Sequence, residues 1–414
     1  MSLPMSSPTA SSRRPSVLIG QSGGATAVIN ASLIGVVDAA LESGGYDRIL
    51  GMRNGIEGLL AESFVDLGTQ PRTTLDGIRE TPSSALGTGR YKLKADDLDR
   101  ALDLLATHGI TALVYIGGND SADTAHRLAT HAADRKQALQ VIHVPKTVDN
   151  DLPETDYCPG YPSLAKALAN TVRDATYDTL AAPALYPVKF IEVMGRDAGW
   201  VAAAGALAFS DDERAEGLAP RILLPEHPPA SSAEILDLVR DDLATRGWTV
   251  VVVPETLRDA AGQHFGGNEP EYVDAFGHAY YPSAGAALAR IVTQELGVRA
   301  RFEKPGSALR MSRSLASAVD LADAYQLGRE AIARIHAGES ARMVALRRVQ
   351  DDPYQTEIVS VPVEHVANRV RTLPEEFIAQ GTADVTAAYH SWARPLLGPD
   401  PFPRYARFAD ETRS

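Results

Sequence analysis

Ala112-Leu113-Val114-Tyr115-Ile116-Gly117, followed at once by Gly118-Asn119-Asp120-Ser121, is an apolar run of strand length that breaks into a paired-glycine turn. A helix-like stretch from about Ser121 to Ala133 follows. The same order recurs along the chain. Val17 to Gly20 reads as a strand and Thr26 to Leu41 as a helix; Val141 to Val144, Lys189 to Val193 and Thr249 to Val253 read as further strands. Ala-rich helices are expected at about Ala198 to Phe209, Ser283 to Leu296 and Leu315 to His336. Strands that are apolar throughout and alternate with helices predict an α/β protein with mainly parallel sheets covered on both faces. The strands fall into two groups, before and after about Pro159, so two lobes with a cleft between them are expected. No fixed-period repeat interrupts that pattern.

The bulk numbers set bounds. A chain of 414 residues with 44% hydrophobic content supports a sizeable core in two or three domains. The formal charge of −13 argues against nucleic acid or an acidic membrane surface as a general partner. No run approaches the roughly 20 apolar residues that span a bilayer. The lone Cys158 rules out an internal disulfide; a reducing compartment, the cytoplasm, is expected. Residues 1–14 are Ser-, Pro- and Arg-rich and read as a disordered leader. The stretch Pro395 to Pro403 reads as extended chain on a surface.

In open parallel sheets ligands sit beyond the carboxyl ends of the strands, and the unusual residues cluster there. Gly20-Gln21-Ser22-Gly23-Gly24-Ala25-Thr26 joins a strand to a helix, and its paired glycines let backbone amides approach a phosphate. In Gly117 to Ser121 the serine is placed to cap a helix, and Asp120 would lie in the positive field of its N-terminus. Pro145-Lys146-Thr147-Val148-Asp149-Asn150-Asp151 packs a lysine, a hydroxyl and two carboxylates into one loop. In extended chain Asp149 and Asp151 would share a face. A carboxylate beside phosphate-binding groups suits a base that deprotonates a sugar hydroxyl. Finally, Glu192-Val193-Met194-Gly195-Arg196 ends another strand, with a glycine for close approach and a guanidinium fork for phosphate.

Taken in order, these segments resemble the phosphofructokinase family over nearly the whole chain, from about Pro15 onward, and in its pyrophosphate-using type. The resemblance implies two Rossmann-like lobes: 15–159 with about 310–360 for the phosphoryl donor, 160–309 for the sugar phosphate, and a helical and extended tail over 361–414. It implies roles too. Asp149 would be the general base toward the 1-hydroxyl of fructose 6-phosphate. Thr147 would touch the transferred group and Asp151 would orient the site. The donor would lie on Gly23, Gly24, Gly118, Ser121, Lys146 and Arg90, the last within Leu86-Gly87-Thr88-Gly89-Arg90. The sugar phosphate would meet Thr147, Val148, Asp149, Met194, Gly195, Arg196, Glu255, Arg301, Ser307 and Arg310. Mg²⁺ would be held by Asn119 and Asp120, although Asn119 stands where the family usually has an aspartate. A homodimer or homotetramer is implied.

Two positions bear on the donor. ATP-using members usually carry glycine where this chain has Asp120 and where it has Lys146. A carboxylate at 120 would occupy the space of a nucleotide's α-phosphate. At about 4 Å and an effective dielectric of about 20, that repulsion is roughly 4 kcal/mol, several hundredfold in affinity. Lys146 would neutralise the phosphate leaving from pyrophosphate. Ile56 agrees, standing where ATP-using relatives often have an aromatic residue. Pro187 replaces an arginine that in ATP-using relatives reaches a neighbouring subunit, and Lys189 is the expected substitute. The rival expectations are an ATP-dependent enzyme of the same fold and a non-catalytic sugar-phosphate sensor.

Overall fold

A computed structural model describes residues 14–89, 91–274, 277, 279–399, 402–403 and 405–406. Arg90, residues 1–13 of the expected leader, and Asp400 and Pro401 of the extended end lie outside the described residues.

Among the described residues there are thirteen strands: β1 Ser16–Gln21, β2 Ile49–Met52, β3 Phe64–Asp66, β4 Ile110–Gly117, β5 Gln140–Pro145, β6 Val188–Val193, β7 Arg221–Ile222, β8 Thr249–Pro254, β9 Tyr272–Val273, β10 Ala279–Tyr280, β11 Ala300–Glu303, β12 Arg342–Asp351 and β13 Tyr354–Pro362. A seven-stranded sheet has the order β13-β12-β5-β4-β1-β2-β3. Its strands are parallel from β12 to β2, with β13 and β3 antiparallel at the two edges. A second, four-stranded sheet, β11-β6-β8-β7, is parallel throughout. The fold is α/β with mainly parallel sheets.

Alternation of side chains buries both faces of each sheet. Val17, Ile19, Val114 and Ile142 pack with the helices Ile29–Ser43 and Ala318–His336, while Leu18, Leu113, Tyr115 and Val141 pack with Leu102, Leu105 and Leu128 on the other side. In the second sheet Ile191, Val193, Val250 and Val252 face Leu164, Leu168 and Trp200; Val188, Phe190, Val251 and Val253 face Ile235, Val239 and Leu288.

Helix ends differ from the sequence reading for local reasons. Thr26 does not open the first helix. Its Oγ1 accepts from the Ile29 amide (3.0 Å), and the helix begins at Ile29. Ser121 does not cap the next. That helix starts at Asn119 on Gly118, and Ser121 is buried inside its first turn, against Gly117. The expected helix from Ala198 is α-helical over Trp200–Ala204 and tightens to 3₁₀ over Gly205–Ala208.

The helices Ile29–Ser43 and Ala318–His336 cross where each presents a glycine. A Cβ on Gly328 would stand 2.1 Å from the Ser32 carbonyl oxygen, and one on Gly35 2.1 Å from that of Tyr325. Gly328→Ala is therefore expected to destabilise the protein by about 1–3 kcal/mol through overpacking, although alanine is the better helix former. Urea denaturation checks this; an unchanged or higher midpoint would contradict it.

Candidate active site

The site forms at the carboxyl ends of both sheets. β1 and β4 are neighbours, yet the chain leaves them toward opposite sides, β1 to β2 and β4 to β5. That reversal opens a crevice between the turn after β1 and the turn after β4. Gly23 there has φ +77°, a conformation side chains rarely adopt. The Lys146 ammonium, on the loop after β5, reaches back to donate to the Gly24 carbonyl at 2.9 Å. The Arg310 guanidinium covers the same turn, with Nη1 2.8 Å from where a Gly24 Cβ would be. A side chain on either glycine would displace the end of a cationic side chain, Lys146 at 3.1 Å from a Gly23 Cβ or Arg310 at Gly24. Asp120 falls in the first turn of the helix Asn119–Asp134, where the macrodipole favours a negative charge. Gly118 faces the Lys146 carbonyl and the Thr147 side chain.

The loop after β5 is not extended between its two aspartates. Asn150 adopts φ 54°, so Asp149 and Asp151 are brought together by a left-handed turn and not by strand alternation. Two features hold that turn: the Thr147 hydroxyl accepts from the Asp149 amide (3.1 Å), and Asn150 Oδ1 accepts from the Cys158 amide (2.8 Å). Burial pushes the Asp149 carboxyl up to about 7, and the charges of Asp151 and Glu255 push the same way; Arg196 and Lys146 oppose them. Burial also raises Asp151. It lowers Lys146 to about 8, with Arg310 adding to the effect and Asp149 opposing it. Val148 is buried beneath the loop.

From the second sheet, Gly195 (φ 103°) turns the chain after β6, so that Arg196 lies against the Tyr280 ring at 5.2 Å and donates to its hydroxyl at 3.3 Å. Glu255 follows β8, its amide bonded to the Val193 carbonyl. Met194 is partly buried against the core of the second sheet. Asp149 thus feels Lys146 from the first sheet and Arg196 and Glu255 from the second. Among the described residues, the buried Oδ1 of Asp151 and Nε of Arg310 have no hydrogen-bond partner, an arrangement that leaves capacity for a polar ligand.

Other candidates are placed elsewhere. Arg301 pairs in register with Lys189, four residues and roughly 13 Å back from the carboxyl end of β6. Its guanidinium stacks on Tyr186 at 3.5 Å and meets Asp178 at 3.4 Å, so it does not join this chain's cluster. Lys189 is no substitute for the missing arginine, because it is buried and clamped by Asp178 (2.6 Å) and Glu303 (3.0 Å). Ser307 is exposed at the start of the short helix Ser307–Met311. Arg310, expected at the sugar's phosphate, stands over the donor turn.

Asn119 is also used differently from the expectation. Its Oδ1 accepts from the Asn368 amide (2.7 Å) and its Nδ2 donates to the Arg369 carbonyl. Both ends of the amide are committed to the C-terminal segment. Among the described residues no group of three or more His, Cys, Asp or Glu could hold a metal ion. A single carboxylate at Asp120 does not fit a metal held by protein alone. It does fit a Mg²⁺ that arrives on substrate phosphates and keeps most of its waters.

The sequence reading missed Lys304, whose ammonium pairs with the fully buried Glu192 at 2.6 Å and whose charge acts on Glu255. It also missed Arg371, which bonds the Asn150 and Asp151 carbonyls of the turn. Lys304 directly follows a strand, which was an available signal; Arg371 sits in a stretch with no periodicity.

Comparison with known proteins agrees with this geometry. The family profile described as Phosphofructokinase matches residues 16–335. The chain is 39% identical over 396 residues to a protein of Methylococcus capsulatus named pyrophosphate–fructose 6-phosphate 1-phosphotransferase, covering 93% of this chain and 92% of that one. A Xanthomonas campestris protein of the same name is 38% identical over 94% of this chain and 95% of its own length. The crystal structure of a pyrophosphate-dependent phosphofructokinase from Nitrosospira multiformis superposes with a TM-score of 0.84 at 35% identity, covering 94% of each chain.

The raised Asp149 carboxyl has a consequence for stability. The native state keeps its proton up to about pH 7, whereas the unfolded chain releases it near pH 4. Stability from this group is therefore lost as pH rises through that interval. Asp149→Asn is expected to raise stability at pH 7.5 by about 1–3 kcal/mol and to change little at pH 4, where that interval begins. Denaturant midpoints at the two pH values check this; equal gains at both would contradict it.

Proposed function

Because this chain belongs to the phosphofructokinase family, we propose that it reversibly transfers a phosphoryl group from pyrophosphate to the 1-hydroxyl of fructose 6-phosphate, giving fructose 1,6-bisphosphate. The observation that carries the reading is the position of Asp149. It lies within the fields of Lys146, from the glycine-turn side, and of Arg196 and Glu255, from the other sheet. A carboxylate so placed meets a donor from one side and an acceptor from the other.

In this reading the lobe of 15–159 with 310–360 takes the donor and 160–309 takes the sugar. Asp149 accepts the proton of the 1-hydroxyl as that oxygen attacks phosphorus, and the phosphate that leaves is stabilised by Lys146. Thr147 holds the Asp149 backbone. Arg196, with Met194 and Gly195, binds the sugar phosphate, and Glu255 takes a sugar hydroxyl. Arg310 over Gly24 can reach either phosphate. Mg²⁺, which would sit on Asp120 and the donor's oxygens, supplies charge neutralisation when bound. Arg301, on the outer surface, is left for a neighbouring subunit of a homodimer or homotetramer. Asp120 and Lys146 together favour pyrophosphate over ATP, the first by repelling an α-phosphate and the second by holding the departing phosphate.

A coupled assay with each donor, with and without Mg²⁺, tests the reading. Turnover with pyrophosphate and little with ATP is expected; the reverse would overturn the donor assignment. The profile of kcat/KM should rise through about pH 7, as Asp149 ionises, and fall above about pH 8, as Lys146 loses its proton. Asp149→Ala should cost roughly 10²–10⁴-fold in kcat without unfolding the protein. Near-wild-type turnover in that variant would remove Asp149 as the base.

A further inference from the structure

The segment from Asn368 to Leu373 runs as a strap from the Asn119 helix past the Asn150 turn to Trp200 and Glu226. At one end the Asn368 amide and the Arg369 carbonyl bind both ends of the Asn119 side chain, beside Asp120. The Asn368 amide group donates to Asp123 at 2.7 Å. At the other end the Arg371 carbonyl accepts from the Trp200 indole (3.0 Å). The Leu373 amide shares the Glu226 carboxylate with the Gly199 amide, both at 2.8 Å. Between these anchors lies the turn that carries Asp149.

Arg371 grips that turn with backbone and side chain together. Its amide donates to the Asp151 carbonyl at 2.7 Å. Its guanidinium gives two bonds to the Asn150 carbonyl, at 2.9 and 3.2 Å, and Nη1 donates to the carbonyls of Thr155 (2.5 Å) and Asp156 (3.0 Å). The Trp200 ring lies 4.7 Å from its centre. All four side-chain bonds go to backbone oxygens and none of them to a carboxylate. A surface arginine pairs with a carboxylate. This one spends its fork on main chain, at a residue held in the left-handed region between the two aspartates.

We infer that Arg371 is a positioning residue for the phosphoryl transfer: it locks the Asn150 turn, fixes the direction in which Asp149 points, and sets a buried positive charge behind the Asp149–Asp151 pair. The inference rests on the function proposed above. Asp151, Asp156, Cys158 and Tyr161 are the titratable groups that face the guanidinium. Through Trp200 and Asn119 the same strap ties the sugar-side loop and the donor-side helix to the turn, so the three parts of the site share one brace.

Arg371→Lys and Arg371→Met in the full-length protein test this, with whichever donor the wild type turns over. Arg371→Lys keeps the charge and loses the fork. It should lower kcat by about tenfold or more, leave both KM values within threefold, and leave the rising limb of the pH profile in place. Arg371→Met loses the charge as well. Its rising limb should move from the wild-type position, because Asp151, whose charge acts on Asp149, then ionises without the Arg371 counter-charge. A role in stability alone would lower the melting temperature of both variants and leave kcat and the limb unmoved in the folded fraction; that result overturns the inference. If Arg371→Met does not fold, Arg371→Lys decides: wild-type kcat defeats the proposal and a reduced kcat at unchanged KM supports it. Absence of turnover by the wild type with any donor defeats the proposed function, and the inference with it, and is told apart by that control.

Discussion

A carboxylate taken out of water is driven to keep its proton, and a base must release it. The site is built around that conflict at Asp149. Burial, Asp151 and Glu255 all hold the proton on, while Lys146 and Arg196 draw it off. The balance near neutrality gives a group able to accept a proton and return it, which a reversible transfer needs. The two cations come from the ends of different sheets, so the carboxyl state depends on the sheets being held at a fixed separation.

That separation is secured away from the motifs. The helices after β1 and before β12 pack through facing glycines, bringing the 318–336 segment against the first sheet. Tyr161, Trp200, Phe377, Tyr389 and Trp392 form one aromatic cluster beneath the site, with the Tyr161 and Tyr389 hydroxyls bonded at 2.7 Å. The strap over 368–373 runs between this cluster and the catalytic turn. Aromatic packing and a hydrogen-bonded brace leave the turn little freedom, as preorganised electrostatic catalysis requires.

Much of this was legible in the residues. The strands announced themselves as apolar runs, because parallel strands are buried on both faces. Glycine turns at strand ends, and a lysine and two aspartates within one loop, pointed to the site because those neighbours in sequence are neighbours in space. What could not be read lay in long-range placement. Nothing near Arg371 signals that its guanidinium ends under Asn150, more than two hundred residues earlier in the chain. Arg301 fits a motif, but register puts it at the wrong end of its strand. Asn119 looked like a weakened metal ligand until the strap was seen to occupy its amide. The left-handed Asn150 replaced strand alternation as the reason the two carboxylates meet.

On this account one site exchanges a phosphoryl group between inorganic phosphate and a sugar oxygen. Phosphorus NMR of the protein with fructose 1,6-bisphosphate, orthophosphate and Mg²⁺ addresses it directly, with no coupling enzyme. A growing pyrophosphate signal, matched mole for mole by fructose 6-phosphate, is the predicted result. A spectrum that keeps only the starting bisphosphate and orthophosphate, from protein shown to be folded, would contradict it.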